Sequence, residues 1–372
     1  QYLGQKNHEM ANKSARQALF IITAISVFIV VLGLAFRAPL LSFIFGKVDA
    51  DVMKNSMVYF FYTVLSYPFI ALYDAGASIF RAQENTRGPM VISIISNVMN
   101  IVGNGILIWV FHMGVAGAAI STLVSRIFCA VVVLYQLRKD RQPIVVRDYL
   151  KIRPDGKMIG RILALGIPSG IENSMFQLGK LAIQSTVSTL GTTAIAAQAM
   201  TNMLEMLNGT AVIGVGIGLM TVVGQSLGAG RKDEAVYYMK KLMIFSEVFL
   251  IACCAVVYVL ARPITMIGGM EAKSAEMCLD MMFWITIVKP IVWMFAFIPA
   301  YGMRAAGDVK FSMITSCITM WTFRFCLCVY LIRVCGMGPM AVWIGMFTDW
   351  TVRAIVFGLR FKSGKWMEHK VV

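Results

Sequence analysis

Charged residues are scarce in this chain, because Asp, Glu, Lys and Arg together make up only 14% of its 372 residues. A soluble domain carries about 25% of such residues, so the shortage excludes an ordinary soluble enzyme. Histidine is rarer still, with three copies, and the eight cysteines include no CxxC pair. The low histidine count excludes a His-based triad, and the cysteine spacing gives no zinc or redox site. We therefore expect no catalytic residues, no metal ligands and no enzyme activity.

Hydrophobic residues are abundant, at 58% of the chain. One membrane-spanning helix needs about 20 mostly apolar residues, so the composition is sufficient for about ten spans. The pattern predicts an all-α polytopic membrane protein. The predicted spans are residues 17–37, 55–77, 89–110, 115–137, 161–188, 193–223, 240–261, 277–301, 311–332 and 339–359.

The distribution of basic residues predicts the orientation. Both ends and the even-numbered gaps between predicted spans hold 23 Lys and Arg, whereas the odd-numbered gaps hold 6. Lys and Arg accumulate in cytoplasmic loops, so we expect both termini in the cytoplasm and a multi-pass location in the plasma or inner membrane. The net charge of +15 then marks cytoplasmic loops, and we expect no nucleic-acid partner.

The chain contains an internal repeat. Residues 1–4 (QYLG) recur as 225–228 (QSLG), at an offset of 224, and residues 80–82 (FRA) recur as 303–305 (MRA), at an offset of 223. An offset of this size holds an even number of helices, so the two copies have the same orientation. We expect them to be related by an axis along the membrane normal.

The repeat also predicts the domain organisation. We expect an N-terminal bundle at 1–140, a basic cytoplasmic linker at 141–160 and a six-helix C-terminal bundle at 161–372. In the second half two predicted helices precede the marker at 225–228, whereas none precedes residues 1–4. We therefore expect the parent protein to have twelve helices, six plus six, with its first two absent from this chain.

Four segments carry a resemblance to a known family. They are residues 81–89 (RAQENTRGP), 114–120 (GVAGAAI), 166–170 (GIPSG) and 223–230 (VGQSLGAG). Together they resemble the multidrug and toxic compound extrusion (MATE) family. The resemblance implies two six-helix bundles around a central cavity. It also implies drug-resistance transport, in which organic and often cationic compounds are exported in exchange for inward Na⁺ or H⁺. No cofactor beyond this coupling ion is expected. The expected partners are small organic substrates and membrane lipids, and the expected state is a monomer.

Glu172 is the first candidate for coupling transport to an ion. A charge at the bilayer centre costs about 2.5–3.5 kcal/mol on insertion scales, so a buried acid needs a partner or water. Phe176 and Lys180 follow at four and eight residues, on the same helix face. A carboxylate beside a lysine could hold a cation in one state and the ammonium in another. The competing interpretation is a static Glu–Lys pair that only locks the packing.

Glu205 is the second candidate, and Asn202 and Asn208 share its helix face. Lys289 lies in a long apolar run, and we expect it to face the cavity. It could pair with either Glu172 or Glu205.

The first half departs from the family pattern. Many members carry Asn and, four residues later, an Asp that titrates. Here the two positions are Asn100 and Asn104. An amide can ligate sodium or bind a substrate, but it cannot release a proton at neutral pH. The choice between Na⁺ and H⁺ therefore stays open.

The chain is rich in side chains that suit a permissive binding surface, with 27 Met, 23 Phe, 12 Tyr and 7 Trp. Methionine adapts to many shapes, and aromatic faces attract organic cations. For each such residue, packing against the core or lipid is the competing interpretation. The residues predicted to line the cavity are Met175, Phe176, Gln177, Met203, Met206, Trp284, Lys289 and Trp293.

The main alternative function is a flippase for a lipid-linked oligosaccharide precursor, which shares the same superfamily. Such a protein would present a cationic cavity to a pyrophosphate group. In this sequence the intramembrane bases Lys180, Lys289 and Arg324 are matched by acids elsewhere in the set of predicted spans. That balance favours the exporter.

Overall fold

The computed structural model describes residues 1–46, 49–139, 142–147, 149, 152–369 and 371, with only the backbone at 44 and 45. Its described part is helical and contains no β-strand, so the prediction of an all-α polytopic protein is confirmed. Five of the residues between 140 and 151, in and beside the predicted linker, lie outside this description.

Helices of the first half correspond to the predicted spans, with two additions. The segment after α1 forms a short helix, and α5 continues into one turn of π-helix at Ile106–Val110. The helices are α1 (His8–Ala35), α2 (Arg37–Phe45), α3 (Ala50–Leu65), α4 (Tyr67–Ala82), α5 (Arg87–Gly105) and α6 (Gly114–Leu137).

Helices of the second half are longer than the predicted apolar cores, because several continue into polar sequence at their ends. A π-helical segment at Met320–Cys326 joins α11 to α12. The helices are α7 (Gly156–Val187), α8 (Thr192–Gly228), α9 (Lys232–Ile267), α10 (Ala272–Ala305), α11 (Val309–Thr319), α12 (Leu327–Arg333) and α13 (Met340–Lys362).

Eight of the described helical segments are long and apolar enough to cross a membrane, or nine if α3 and α4 count as one span. The predicted span at 55–77 is divided between two helices, α3 and α4, which meet at a 40° bend. Pro68 lies in the first turn of α4, where it supplies no backbone N–H to the preceding turn. The fifth predicted span, residues 161–188, lies on α7, which is not among these segments; its hydropathy is lowered by Glu172, Asn173 and Gln177.

The chain forms two compact units. The N-terminal unit comprises Lys6–Ile162 with Tyr2, and the C-terminal unit comprises Leu163–Val372 with Gln1 and Leu3–Gln5. Within the N-terminal unit, α6 packs against α3, α4 and α5, and α1 packs against α4. Within the C-terminal unit, α10 packs against α8, α9 and α13.

The described part of the linker is held to the N-terminal unit by side chains. The backbone N–H of Val145 donates to Asn12 Oδ1 at 2.8 Å, on α1. Asp155 accepts hydrogen bonds from the first backbone N–H groups of α7, which is a capping arrangement. It also pairs with Lys13 of α1, at 2.5 Å. The start of α7 is thereby anchored to α1.

The two repeat markers contact each other reciprocally inside the C-terminal unit. A Cβ added to Gly4 would lie 2.1 Å from the Gln225 carbonyl oxygen, and one added to Gly228 would lie 2.1 Å from the Gln1 carbonyl oxygen. Only glycine permits backbones to approach so closely. Gly4 therefore packs on Gln225, the repeat equivalent of Gln1, and Gly228 packs on Gln1, the repeat equivalent of Gln225.

Candidate functional site

A cavity of about 830 Å³ lies within the C-terminal unit. Its walls come from α7, α8, α10, α11, α13 and the π-helical segment. This volume lies within the range of small-molecule sites. The charged side chains that line it are Glu172, Lys180, Glu205, Arg304, Arg324 and Arg353.

Glu205 forms an ion pair with Lys289, with 2.5 Å between Oε1 and Nζ. The lysine also donates to the Glu205 backbone carbonyl at 3.1 Å and lies 5.2 Å from the centroid of the Trp293 ring. Its side chain is 0% exposed, whereas that of Glu205 is 21% exposed and reaches the cavity. The predicted cavity position of Lys289 is therefore wrong, because its ammonium is drawn behind the wall by this carboxylate.

A small residue makes room for that ammonium. A Cβ added to Gly209 would lie 3.3 Å from Lys289 Nζ. Asn208, next to it on α8, is fully buried, and neither its amide nitrogen nor its amide oxygen has a hydrogen-bond partner among the described residues. The Glu205–Lys289 ion pair therefore lies in a closely packed part of the cavity wall, next to the buried amide of Asn208.

Glu172 binds a base other than the one expected. Its Oε1 lies 2.7 Å from Arg304 Nη2 at the end of α10, and Ser312 Oγ donates to its Oε2 at 3.4 Å. The predicted Glu172–Lys180 pair is wrong. Eight residues of α-helix span about 12 Å, and Arg304 already occupies the carboxylate. Lys180 Nζ instead lies over the ring of Phe176, 5.1 Å from its centroid.

Sequence reasoning missed a third buried pair, Asp349–Arg353 on α13, with 3.0 Å between Oδ1 and Nη2. Both residues are almost completely buried. Arg353 also donates to the Ser316 and Thr319 hydroxyl groups, each at 3.1 Å. The i,i+4 spacing of acid and base was the signal that could have identified this pair.

Arg324 completes the charged lining, and it also lies over Phe176, with 5.1 Å between Cζ and the ring centroid. It is 6% exposed, and its Nε has no hydrogen-bond partner in the part of the chain that the structure describes. Among the described residues, neither Arg324 nor Lys180 has a carboxylate within ion-pair distance. The predicted balance of intramembrane bases and acids is therefore wrong.

Neutral polar groups complete one wall of the cavity. The Trp343 indole Nε1 donates to Gln198 Oε1 at 3.1 Å, and Gln198 Nε2 donates to Asn202 Oδ1 at 3.2 Å. Trp343 is fully buried and Gln198 is 2% exposed. The indole therefore fixes which way the glutamine amide faces.

The predicted lining residues divide by helix face. Phe176, Gln177, Met206 and Trp293 line the cavity. Met175, Met203 and Trp284 do not line it, so their prediction as cavity residues is wrong. Met203 is 64% exposed and Trp284 is 46% exposed, because each projects from its helix away from this space.

Asn100 and Asn104 lie in the N-terminal unit, on one face of α5. Asn104 Nδ2 donates to Asn100 Oδ1 at 3.3 Å, and Asn100 Nδ2 donates to Thr122 Oγ1 of α6 at 3.2 Å. The Asn104 Oδ1 atom is buried and has no hydrogen-bond partner in the described structure. Of the two side-chain amides, Asn104 therefore has one acceptor oxygen, Oδ1, that no hydrogen bond within the described structure uses.

Comparison with known proteins identifies the family. The MatE family model matches residues 1–106 and 168–330. The probable multidrug resistance protein NorM of Thermotoga maritima is 24% identical over 380 residues, covering 100% of this chain and 80% of that protein. The uncharacterized transporter YisQ of Bacillus subtilis is 26% identical over 385 residues, covering 99% and 81% respectively.

Solved structures show the same fold. An outward-facing multidrug resistance MATE family transporter of the MOP superfamily has a TM-score of 0.89 at 18% identity, covering 98% of this chain and 82% of that one. A MOP superfamily transporter from Pyrococcus furiosus, described as having a binding pocket of reverse polarity, has a TM-score of 0.90 at 18% identity, covering 99% and 82%. The chain belongs to the MATE family of efflux transporters, a family of membrane proteins that move small molecules.

Proposed function

We propose that this protein exports small organic drugs or metabolites across the cell membrane, in exchange for an inward flow of Na⁺ or H⁺. Membership of the MATE family supports export, as do relatives named multidrug resistance proteins. The observation that carries the proposal is a cavity of drug size in which a partly exposed carboxylate, Glu205, is paired to a fully buried lysine.

The Glu205–Lys289 pair is the proposed coupling site. Glu205 is accessible from the cavity, so a proton or a sodium ion can reach it. Lys289 is enclosed and depends on this carboxylate for neutralisation. Leaving a buried charge without its partner costs about 3–5 kcal/mol, so an ion on Glu205 would force the ammonium to rearrange or lose its proton. The ion-bound and ion-free states then differ in packing, and the ion shifts the balance between two conformations.

The Glu172–Arg304 pair suits a different role. A guanidinium stays protonated in proteins, whereas a lysine can give up its proton when it is buried. The Arg304 charge is therefore permanent, and Glu172 stays bound to it at 2.7 Å. We assign this pair to holding α7 against the end of α10, with ion binding at Glu172 as the secondary possibility.

In the proposed cycle, the two bundles rock about the substrate site, as in other transporters built from repeats. Both termini lie in the cytoplasm, as the 23-to-6 distribution of basic residues favours. The protein works as a monomer surrounded by membrane lipids. Asn100 and Asn104 can supply oxygen ligands to sodium, but they carry no proton.

Gradient-driven transport in liposomes tests the proposal. Purified protein would be reconstituted with an imposed sodium or pH gradient, and the movement of ethidium, a cation, and carboxyfluorescein, an anion, would be followed by fluorescence. We expect at least one gradient to drive at least one dye. Glu205→Gln should abolish the gradient response, and Glu172→Gln should retain part of it. The matched control Glu234→Gln, on the exposed start of α9, should behave as wild type. Transport of neither dye under either gradient would contradict the proposal.

A flippase for a lipid-linked precursor is the second candidate. The observation that favours it is the cavity's excess of basic side chains, since Lys180 and Arg324 have no ion-pair partner in the described part of the chain. The two functions differ in cargo, so a liposome assay that follows a fluorescent lipid pyrophosphate from one leaflet to the other separates them. We expect no flipping above protein-free liposomes.

A further inference from the structure

The charged groups in and directly behind the cavity wall do not balance. Three ion pairs account for Glu172, Glu205 and Asp349 together with their basic partners. Lys180 and Arg324 remain, and both line the cavity. Within the described structure, the site therefore carries two more basic than acidic side chains.

These two unpaired charges lie close to each other. Lys180 Nζ and Arg324 Cζ are each 5.1 Å from the centroid of the Phe176 ring, so their separation is at most twice that distance. An aromatic face attracts each cation, but it carries no net charge and leaves their mutual repulsion in place. An anion between them would relieve that repulsion.

Arg324 in particular lacks the partner that a buried charge requires. It is 6% exposed. Among the described residues, its Nε has no hydrogen-bond acceptor and no carboxylate lies within ion-pair distance of it. Buried charges are normally paired. The planar guanidinium matches the geometry of a carboxylate, sulfonate or phosphate, which it binds through two parallel N–H groups.

We propose that Lys180 and Arg324, set over Phe176, form a subsite for an anionic group on the transported molecule. The inference rests on the proposed export function and names its substrate class: an aromatic organic molecule bearing a carboxylate, sulfonate or phosphate. The stacked pair Trp293 and Phe297, with ring centroids 4.9 Å apart, lines the same cavity and supplies an apolar surface for the ring. Cationic substrates, which the family resemblance favours, would meet like charge at this subsite.

Two probes that share one ring system and differ in charge test the subsite. The full chain would be purified into nanodiscs of phosphatidylcholine, which has no net charge. Binding of 2-naphthalenesulfonate and of 2-naphthyltrimethylammonium would be measured by isothermal titration calorimetry. We expect the sulfonate to bind at least about tenfold more tightly, the scale of one charge-assisted contact. Equal binding, or tighter binding of the ammonium probe, would overturn the proposal.

Variants at Lys180 keep the test independent of folding, because this side chain is exposed to the cavity whereas Arg324 is buried. Lys180→Gln should weaken sulfonate binding about tenfold, Lys180→Arg should preserve it, and Lys180→Glu should reverse the order of the two probes. Lys232→Gln, which removes an exposed lysine at the start of α9, is the matched control and should change nothing. Sulfonate binding that is indifferent to Lys180→Gln would refute the assignment.

The phosphate of a lipid headgroup can bind to the same two basic side chains as a soluble anion. A further binding experiment distinguishes these two ligands. Phosphatidylglycerol would be added to the nanodiscs, and sulfonate binding would be measured again. We expect no competition. Displacement of the probe that disappears in Lys180→Gln would assign the subsite to lipid phosphate and would overturn the soluble substrate.

Failure of this inference can be told from failure of the export proposal. If neither ion gradient moves either probe in liposomes, while the sulfonate still binds in a Lys180-dependent manner, export fails and the anionic subsite stands. If a gradient drives the ammonium probe but not the sulfonate, export stands and the anionic subsite fails.

Discussion

Replacing either Glu205 or Lys289 by methionine should destabilise the protein, but the two single variants should lose different amounts of stability. In Glu205→Met, Lys289 keeps only a carbonyl at 3.1 Å and the Trp293 ring, and it is 0% exposed. An uncompensated buried charge of this kind costs about 3–5 kcal/mol. In Lys289→Met, the Glu205 side chain, 21% exposed, can be hydrated from the cavity. That loss should cost about 1–3 kcal/mol, the penalty for an unsatisfied polar group.

The double variant should recover most of this loss, because replacing a buried ion pair by apolar residues of similar volume is often neutral or stabilising. We expect the midpoint of thermal unfolding to be highest for wild type and the double variant, lower for Lys289→Met and lowest for Glu205→Met. Tryptophan fluorescence in one detergent, at one pH and one scan rate, measures this order, since unfolding of such proteins is under kinetic control. A Lys289→Met midpoint at or below that of Glu205→Met would refute the reasoning, as would additive losses in the double variant.

Four further variants test the surrounding fold. Gly4→Ala and Gly228→Ala should each destabilise the protein to a similar degree, measured as a drop in the unfolding midpoint, because the added methyl groups meet equivalent backbones at 2.1 Å. Trp343→Phe should cost about 1–3 kcal/mol, because it leaves a buried glutamine oxygen without its donor; the chemical-denaturation midpoint reports the loss. The hydrogen bond from Lys13 holds the pKa of Asp155 below its usual value, so its stabilisation is present above about pH 4 and is lost as the pH falls further. Asp155→Asn should therefore lower the unfolding midpoint at pH 7, and the difference from wild type should shrink as the pH falls below about 4.

The helical architecture could be predicted from sequence because a span needs only length and hydropathy, both of which are local. The bend between α3 and α4 was missed, although Pro68 marked it, since the apolar run continues on both sides. The repeat offset paired residues 1–4 with 225–228, and the structure adds that these two markers pack on each other.

The candidate site could be predicted only in part, because pairing depends on how helices rotate against each other. The acids Glu172 and Glu205 were found from their burial in apolar sequence, and Glu205 was one of two partners left open for Lys289. The reach of Arg304 from the end of α10 to Glu172 could not be inferred, because the two residues are 132 positions apart.

The excess of positive charge in the cavity could not be predicted from the sequence either. Acids and bases occur together in the predicted spans, and their totals suggested balance. Only the geometry shows that the acids are used in other pairs and that Lys180 and Arg324 share an aromatic ring instead.

Transport of 2-naphthalenesulfonate in liposomes tests most directly the central claim, that coupling and recognition reside in different side chains of one cavity. Rates would be measured against probe concentration, with and without the driving ion gradient. Glu205→Gln should lose the response to the gradient while its half-saturating concentration stays near that of wild type. Lys180→Gln should raise the half-saturating concentration about tenfold and keep the response. An intact gradient response in Glu205→Gln, or its loss in Lys180→Gln, would contradict the account.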